Sequence, residues 1–387
     1  MFVSSLWFLV QGYRFAFPPL FETLESAYGV TSAETGLLFT VFLVGYAVMQ
    51  FPGGGLADRF GEFRIVVAGG LAAAIAALAV AVAPSFALIV VAGGAIGLST
   101  GGHKTVAIKY LSRLYPSHRG RALGAFDTIG ISGGVVAPIL VSATFVLAIT
   151  WRSVFLVLGT AGLAVTALFM RKGDSEPVSD RPTSSATEKV SLRSYSAAFT
   201  DVRLMLFSIV SILFTFFYNG VVTFLPTYFT QTKELSPEIG TLLYGVLFVG
   251  AAAQIATGEL GDRIGRAATA AMLLGSSMAG MAILLMVESL VGLIAATLFL
   301  GLGIHGFRPV RDAYLTSVTP AKSRGGTIGL VRLGMTSVGA AAPVSVGVFI
   351  SRSGHTDAFL ALSMLLGVVI AVAILVVAFD RGHTRSQ

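Results

Sequence analysis

No cysteine occurs in the chain, which excludes disulfides, cysteine-ligated zinc and iron–sulfur clusters and says little about compartment. Charge is scarce as well. Asp, Glu, Lys and Arg make up 12% of the 387 residues, against about 25% in soluble domains. So little charge leaves too little polar surface to face water, and one soluble domain of this length would be unusually large. The formal charge is +7, but the basic residues sit in short clusters between apolar runs. That distribution argues against a nucleic-acid partner.

What fills the chain instead is apolar: 55% of the residues are hydrophobic and the mean hydropathy is +0.84. A membrane-spanning helix needs ~20 mostly apolar residues. Runs of that kind predict spans at 3–24, 33–54, 65–84, 86–112, 120–145, 150–171, 203–229, 236–257, 267–287, 289–316, 325–350 and 355–379. The first lacks a basic leader and carries Arg14 midway, so it reads as a retained helix and not a cleaved signal. One long polar break, rich in Ser, Thr, Pro and charge, reads as a linker. The expected organisation is an all-α membrane protein. It has a six-helix bundle at 1–171, a cytoplasmic linker at 172–202, a second six-helix bundle at 203–380 and a cytoplasmic tail at 381–387. With the N-terminus inside, only Arg152, Lys233 and Arg352 fall in outer loops, and the other loop lysines and arginines are cytoplasmic. The positive-inside rule then places both termini in the cytoplasm of an inner-membrane protein.

The two halves repeat. Residues 54–61 read Gly-Gly-Leu-Ala-Asp-Arg-Phe-Gly, and residues 258–265 read Gly-Glu-Leu-Gly-Asp-Arg-Ile-Gly. At the same offset Gly97, Tyr110, Leu111 and Pro116 map onto Gly301, Tyr314, Leu315 and Pro320. This loop, met twice between the second and third spans of each half, resembles the signature loop of the major facilitator superfamily. The resemblance covers nearly the whole chain. It implies two pseudo-symmetric six-helix bundles, about twelve transmembrane helices, and alternating access at a cavity near the midplane. Spans 1, 4, 7 and 10 would line that cavity, and spans 2, 5, 8 and 11 would join the halves. It also makes Asp58, Arg59, Asp262 and Arg263 gate residues. Two departures limit the transfer. Glu62 and Phe63 stand where the family usually has basic residues, and Gly93 lies near the place of an arginine typical of the fourth span.

Ionisable residues inside a span cost at least ~2.5–3.5 kcal/mol each and usually face a cavity or a partner. Here they are Arg14, Lys104, Lys109, Asp127, Arg308, Arg311, Asp312 and Arg332. The repeat carries Lys104 onto Arg308, so two cations occupy equivalent positions in spans four and ten, and Arg14 adds a third. Three cations around one cavity suggest an anionic substrate held by charge-assisted hydrogen bonds. The alternative is internal pairing, with Arg308 and Asp312 at i, i+4 and Lys109 and Arg311 reaching the membrane surface. With one inserted residue, Asp127 and Arg332 occupy equivalent places in spans five and eleven. They read as a gate bridge, or Asp127 as a proton-coupling carboxylate, or as a pair within one half. Asp312 joins the gate and coupling set. Gln11, Tyr13, Tyr218, Asn219 and His305 are polar cavity candidates, with packing as the alternative for each.

Three enzyme-like strings fail on context. Gly301 to Gly306 imitates a dinucleotide fingerprint, Gly130 to Gly134 a nucleophile elbow, and Gly97 to Thr105 a P-loop, yet all lie inside apolar spans. Gly93, Gly97 and Gly101 recur on one helical face, which suits close helix packing. The expected protein is therefore no enzyme. It binds no cofactor or metal, acts as a monomer, and moves a small anionic solute (organic acid, sugar acid or inorganic oxyanion) by gradient-driven secondary active transport, with a proton as the coupling ion. The Pro18-Pro19 and Pro226-Thr-Tyr228 segments are similar to anion-carrying branches of the superfamily, such as nitrate, organophosphate and sugar-acid carriers. The rivals are a multidrug or metabolite efflux antiporter and a non-transporting membrane sensor. Ala137-Pro138 stands where such efflux carriers often show Gly-Pro.

Overall fold

The computed structural model describes residues 1–172, 200–321 and 323–384. The expected linker at 172–202 and the end of the expected tail fall largely outside the described residues. Among the described residues there is no strand. The helices of the first half are α1 Phe2–Ala16, α2 Phe21–Tyr28, α3 Ser32–Phe60, α4 Glu62–Val82, α5 Phe86–Thr100, α6 His103–Leu114, α7 Arg119–Val146 and α8 Arg152–Lys172. Those of the second are α9 Val202–Gln231, α10 Pro237–Val249, α11 Gln254–Ile264, α12 Arg266–Met286, α13 Leu290–Val318 and α14 Arg324–Thr384.

Nine helices among the described residues are long and apolar enough to cross a membrane. A tenth appears if Pro237–Ala253 and Ala256–Ile264, bent by 47°, form one span. The sequence predicts about twelve, and two physical features account for the difference. Span one is divided at Pro18-Pro19 into α1 and α2, because proline lacks the N–H that a helix interior needs. Helix α14 runs through Gly354 at φ 86°, a break that joins two helices. Its apolar stretch, Arg324–Asp380, is 57 residues long. At 1.5 Å per residue that length is nearly three times a ~30 Å hydrocarbon core.

The repeat in sequence is a repeat in backbone. Gly61 ends α3 at φ 89°, ψ 141°, and Gly265 ends α11 at φ 97°, ψ 136°. Side-chain-bearing residues rarely adopt such a φ, which is why both copies of the loop close on glycine. The next helix starts at the following residue in each case.

Small residues bring helices into backbone contact. A Cβ added to Gly97 would overlap the carbonyl oxygen of Phe42, and one on Gly101 would overlap that of Tyr46. At these positions helices α3 and α5 therefore meet backbone to backbone along a glycine seam. In the second half, Gly301 lies in the same way against the Leu247 carbonyl. The glycines of the enzyme-like strings are thus packing residues.

By contacts the chain forms two compact units. The first is Met1–Arg181 with Thr223–Gly245 and Pro343–Arg352, and the second is Pro182–Val222, Val246–Ala342 and Ser353–Gln387. Within the first unit, the later segments are held by hydrogen bonds to α3 and α7. Val344 N donates to Thr40 Oγ1 at 3.1 Å, Ala33 N to Ser351 Oγ at 3.2 Å, and Ser142 Oγ to the Glu238 carbonyl at 3.1 Å. The rings of Phe21 and Phe224 meet at 5.8 Å.

Candidate functional site

In the first unit the charged residues expected in the gate and cavity fall mainly in two places. The loop after α3 is one. Lys109 of α6 pairs with Asp58 and lies 3.7 Å from Glu62. Arg113 Nη2 lies 2.9 Å from Glu62 Oε2, whose side chain is only 8% exposed. Glu62, the residue that departs from the family pattern, thus recruits two cations from α6. Arg59 is exposed and lies 5.2 Å from the Phe60 ring. In the second unit the equivalent position is Arg266, which reverses the charge. It reaches Asp262 at 3.1 Å and donates to the Ala313 carbonyl at 3.3 Å. Arg263 is exposed and 4.0 Å from Glu259.

The second place surrounds the break between α5 and α6 at Gly101-Gly102, midway along span four. Helix α6 begins there without a side-chain cap, so its first amides carry the positive end of the helix dipole. His103 is buried, with Nε2 3.4 Å from the Val3 carbonyl and its ring stacked on Trp7. Lys104 Nζ lies 2.9 Å from Asp127 Oδ1 on α7 and 5.6 Å from the Trp7 ring. Trp7 escaped the sequence reading because a tryptophan in an apolar span has no signal that separates it from packing. Arg14, half-buried on α1, has its guanidinium 5.2 Å from the Phe15 ring. Tyr13 is buried and donates to the Leu158 carbonyl at 3.1 Å, which turns it into the bundle. Gln11 is half-buried on the same helix, and its Cβ lies close to Gly133.

In the second unit Asp312 Oδ1 lies 2.9 Å from Arg311 Nη2, and Asp312 Oδ2 lies 4.0 Å from Arg332 Nη2. The i, i+4 pair of Arg308 with Asp312 does not form. Among the described residues no carboxylate pairs with Arg308. Its guanidinium instead lies 6.0 Å from the Tyr218 ring. His305, one turn back on α13, is buried at 2% exposure between Tyr218 and Phe248. Neither of its ring nitrogens has a hydrogen-bond partner among the described residues. Asn219 is buried and donates to the Gly339 carbonyl at 3.0 Å.

Asp127 belongs to the first unit and Arg332 to the second, and each has a partner of opposite charge in its own unit. The polarity is reversed between them. Span four supplies the cation and span five the acid in the first unit, whereas span ten supplies the acid and span eleven the cation in the second. A double-mutant cycle measures the first pair. Lys104→Gln and Asp127→Asn are each expected to lower thermal stability in detergent. The double variant should lose less than their sum, by a coupling of about 0.5–3 kcal/mol. Strict additivity would show that the pair contributes nothing.

Among the described residues no group of three or more His, Cys, Asp or Glu is placed to hold a metal ion.

A family model of the major facilitator superfamily matches residues 3–290 and 234–387. The chain is 27% identical over 364 residues to a protein of Cupriavidus necator described as a probable sulfoacetate transporter, covering 88% of this chain and 84% of that protein. It is 26% identical over 359 residues to a protein of Cupriavidus pinatubonensis described as a probable 4-methylmuconolactone transporter, covering 91% and 82%. Among solved structures, the crystal structure of the nucleoside transporter NupG is similar to it with TM-score 0.78 at 14% identity, over 98% of this chain and 99% of that one.

Proposed function

The chain belongs to the major facilitator superfamily, and from that premise we propose that it is a gradient-driven secondary transporter of a small organic anion. The observation that carries this reading is Arg308. It sits within a membrane span, and among the described residues no carboxylate neutralises it, because Asp312 turns to Arg311 and Arg332. A guanidinium left in that state attracts an anion and offers a fork that fits carboxylate or sulfonate oxygens. The unpartnered ring nitrogens of His305 lie one turn away and can donate to, or accept from, the same solute.

Other residues support the reading by their positions in spans one and four. Arg14 supplies a second guanidinium. Lys104 follows an uncapped helix start, a combination that suits a negative group. Sulfoacetate, named for one relative, is a small anion of the expected class. Lys104 with Asp127, and Arg332 with Asp312, serve as paired charges whose making and breaking accompany the cycle. Asp58, Arg59, Asp262 and Arg263 hold the cytoplasmic ends. The coupling ion is a proton, and both termini lie in the cytoplasm.

A thermal-shift screen of purified protein tests the substrate class. At a concentration 100 times its Kd, a bound solute adds about 2.7 kcal/mol of stability. Small sulfonates, carboxylates and sugar acids should raise Tm, whereas neutral sugars and cationic drugs should not. Stabilisation by the neutral or cationic compounds alone would reject the anion reading.

A further inference from the structure

Glu25 carries a half-buried carboxyl that the reading above leaves unused. It lies on α2, just past the expected end of span one at residue 24. The neighbours that hydrogen-bond to it are uncharged and come from two other segments of the first unit. Thr35 Oγ1 donates to Glu25 Oε1 at 3.0 Å. The side chains of Ser32, at the start of α3, and Gln231, at the end of α9, also hydrogen-bond to it. This sets it apart from the acids of the two gate regions. Asp58, Glu62, Asp127, Asp262 and Asp312 each have a lysine or arginine within 4.0 Å.

A carboxyl buried without a cation holds its proton more tightly. Burial is the largest influence on Glu25 and raises its pKa, against the lowering effect of the Thr35, Ser32 and Gln231 hydrogen bonds. Glu22, one turn back, raises it further. The other charged groups on the packed segments are engaged elsewhere. Glu34 accepts from Thr31 N at 2.8 Å, Glu238 lies in the first turn of α10, Lys233 lies 5.9 Å from the Tyr228 ring, and Arg152 donates to Tyr28 and the Ala83 carbonyl. A pocket of about 230 Å³ lies against the neighbouring residues of α2, walled in part by Glu22, Thr23, Ser26, Thr227, Thr230 and Thr241, with Glu25 itself behind its lining.

We infer that Glu25 is a proton-binding residue of the transport cycle, protonated from the outside when α2, the start of α3 and the end of α9 close around it, and deprotonated when they part. This rests on the transporter reading and on the orientation that puts Glu25 at the outer face. In energetic terms the closed arrangement favours the neutral carboxyl and the open one the carboxylate. Acid outside therefore promotes closure, and external pH biases the conformational cycle.

The absence of native cysteine allows a direct test that needs no substrate. Thr241 lines the pocket and is buried at 2% exposure, so a Thr241→Cys reporter reacts with an impermeant maleimide only when the outer end opens. In right-side-out vesicles its modification rate should fall as external pH falls. The limit is about tenfold per pKa unit separating the closed and open states. Adding Glu25→Gln, which mimics the neutral acid, should give the slow rate at every pH. Gln231→Leu removes a hydrogen bond that favours the carboxylate and should move the midpoint to higher pH. Replacing sodium by N-methylglucamine should leave all profiles unchanged. A Glu25→Gln profile that follows the parent, or a profile set by sodium, would overturn the proposal. Anion counterflow assayed on the same vesicles separates the two readings. Counterflow with an unaltered Glu25→Gln labelling profile rejects the proton site alone. A Glu25-dependent labelling profile without any anion transport rejects the anion reading alone.

Discussion

Arg308→Ala is expected to weaken binding of the transported anion by more than tenfold while leaving the protein folded. Losing one charged contact to a bound partner typically costs ~2–5 kcal/mol, and 1.4 kcal/mol is already a factor of ten. The fold should survive because, among the described residues, no carboxylate pairs with Arg308. Asp312 keeps Arg311 and Arg332 when Arg308 is removed. Arg308→Lys retains the charge and loses the fork, so its affinity should fall between the wild type and the alanine variant. Arg14→Ala should act in the same direction. Lys104→Ala should lower affinity and stability together, since it leaves Asp127 without its cation. The measurement is anion binding or uptake by reconstituted protein, with unfolding in detergent as the control for folding. Wild-type affinity in all three alanine variants would sink the anion reading and leave the family assignment standing.

The second large effect is expected at Gly97. An added Cβ would overlap the Phe42 carbonyl oxygen, which is backbone and cannot rotate away. Helices α3 and α5 must then part along the whole seam. Overpacking a well-packed interior costs ~1–3 kcal/mol for a modest insertion. Gly97→Ala should lower the unfolding temperature, and Gly97→Leu should abolish folded protein in the membrane. Gly301→Ala should repeat the alanine effect in the second half, where the Leu247 carbonyl is the obstacle. Gly275→Ala is the control. Nothing lies within 4 Å of the Cβ it would add, and alanine favours the helix. Its expected effect is neutral or stabilising. Equal losses for Gly97→Ala and Gly275→Ala in an unfolding assay would show that helix propensity, not the seam, governs these positions.

Much of this architecture is legible in the sequence, for a physical reason. Lipid demands long apolar helices, a close helix pair demands glycine at a fixed spacing, and a duplicated loop keeps its glycine where φ is positive. Each demand leaves its mark on residue type and spacing alone. Pairing preferences leave no such mark. Asp312 has Arg308 within reach at i, i+4, yet it binds Arg311 beside it and approaches Arg332 on the next helix. Spacing gives the set of possible partners, and packing selects among them. Glu62 was visible as an anomaly, an acid where the family has a base, but its two cations on α6 were not. Glu25 was missed because its hydrogen-bonding neighbours are a serine, a threonine and a glutamine, two of them just beyond a turn and the third some two hundred residues away. Uncharged neighbours at such separations form no motif.

The glycine seam also has a mechanical consequence. Helix α3 begins at Ser32, which bonds Glu25, and carries Asp58, which pairs with Lys109, about 39 Å further along at 1.5 Å per residue. Between these ends it is held to α5 by backbone contacts at Gly45, Gly97 and Gly101, with the Leu38 and Val41 side chains packed on Gly93 and Gly94. Proline at position 52 falls near the far end, where Gly53 packs on Gly102. Helix α3 therefore joins the Glu25 carboxyl at one end to the Asp58–Lys109 ion pair at the other. A shift imposed at one end reaches the other with little loss, so amide exchange at the two termini of α3 should change in concert while its middle stays protected.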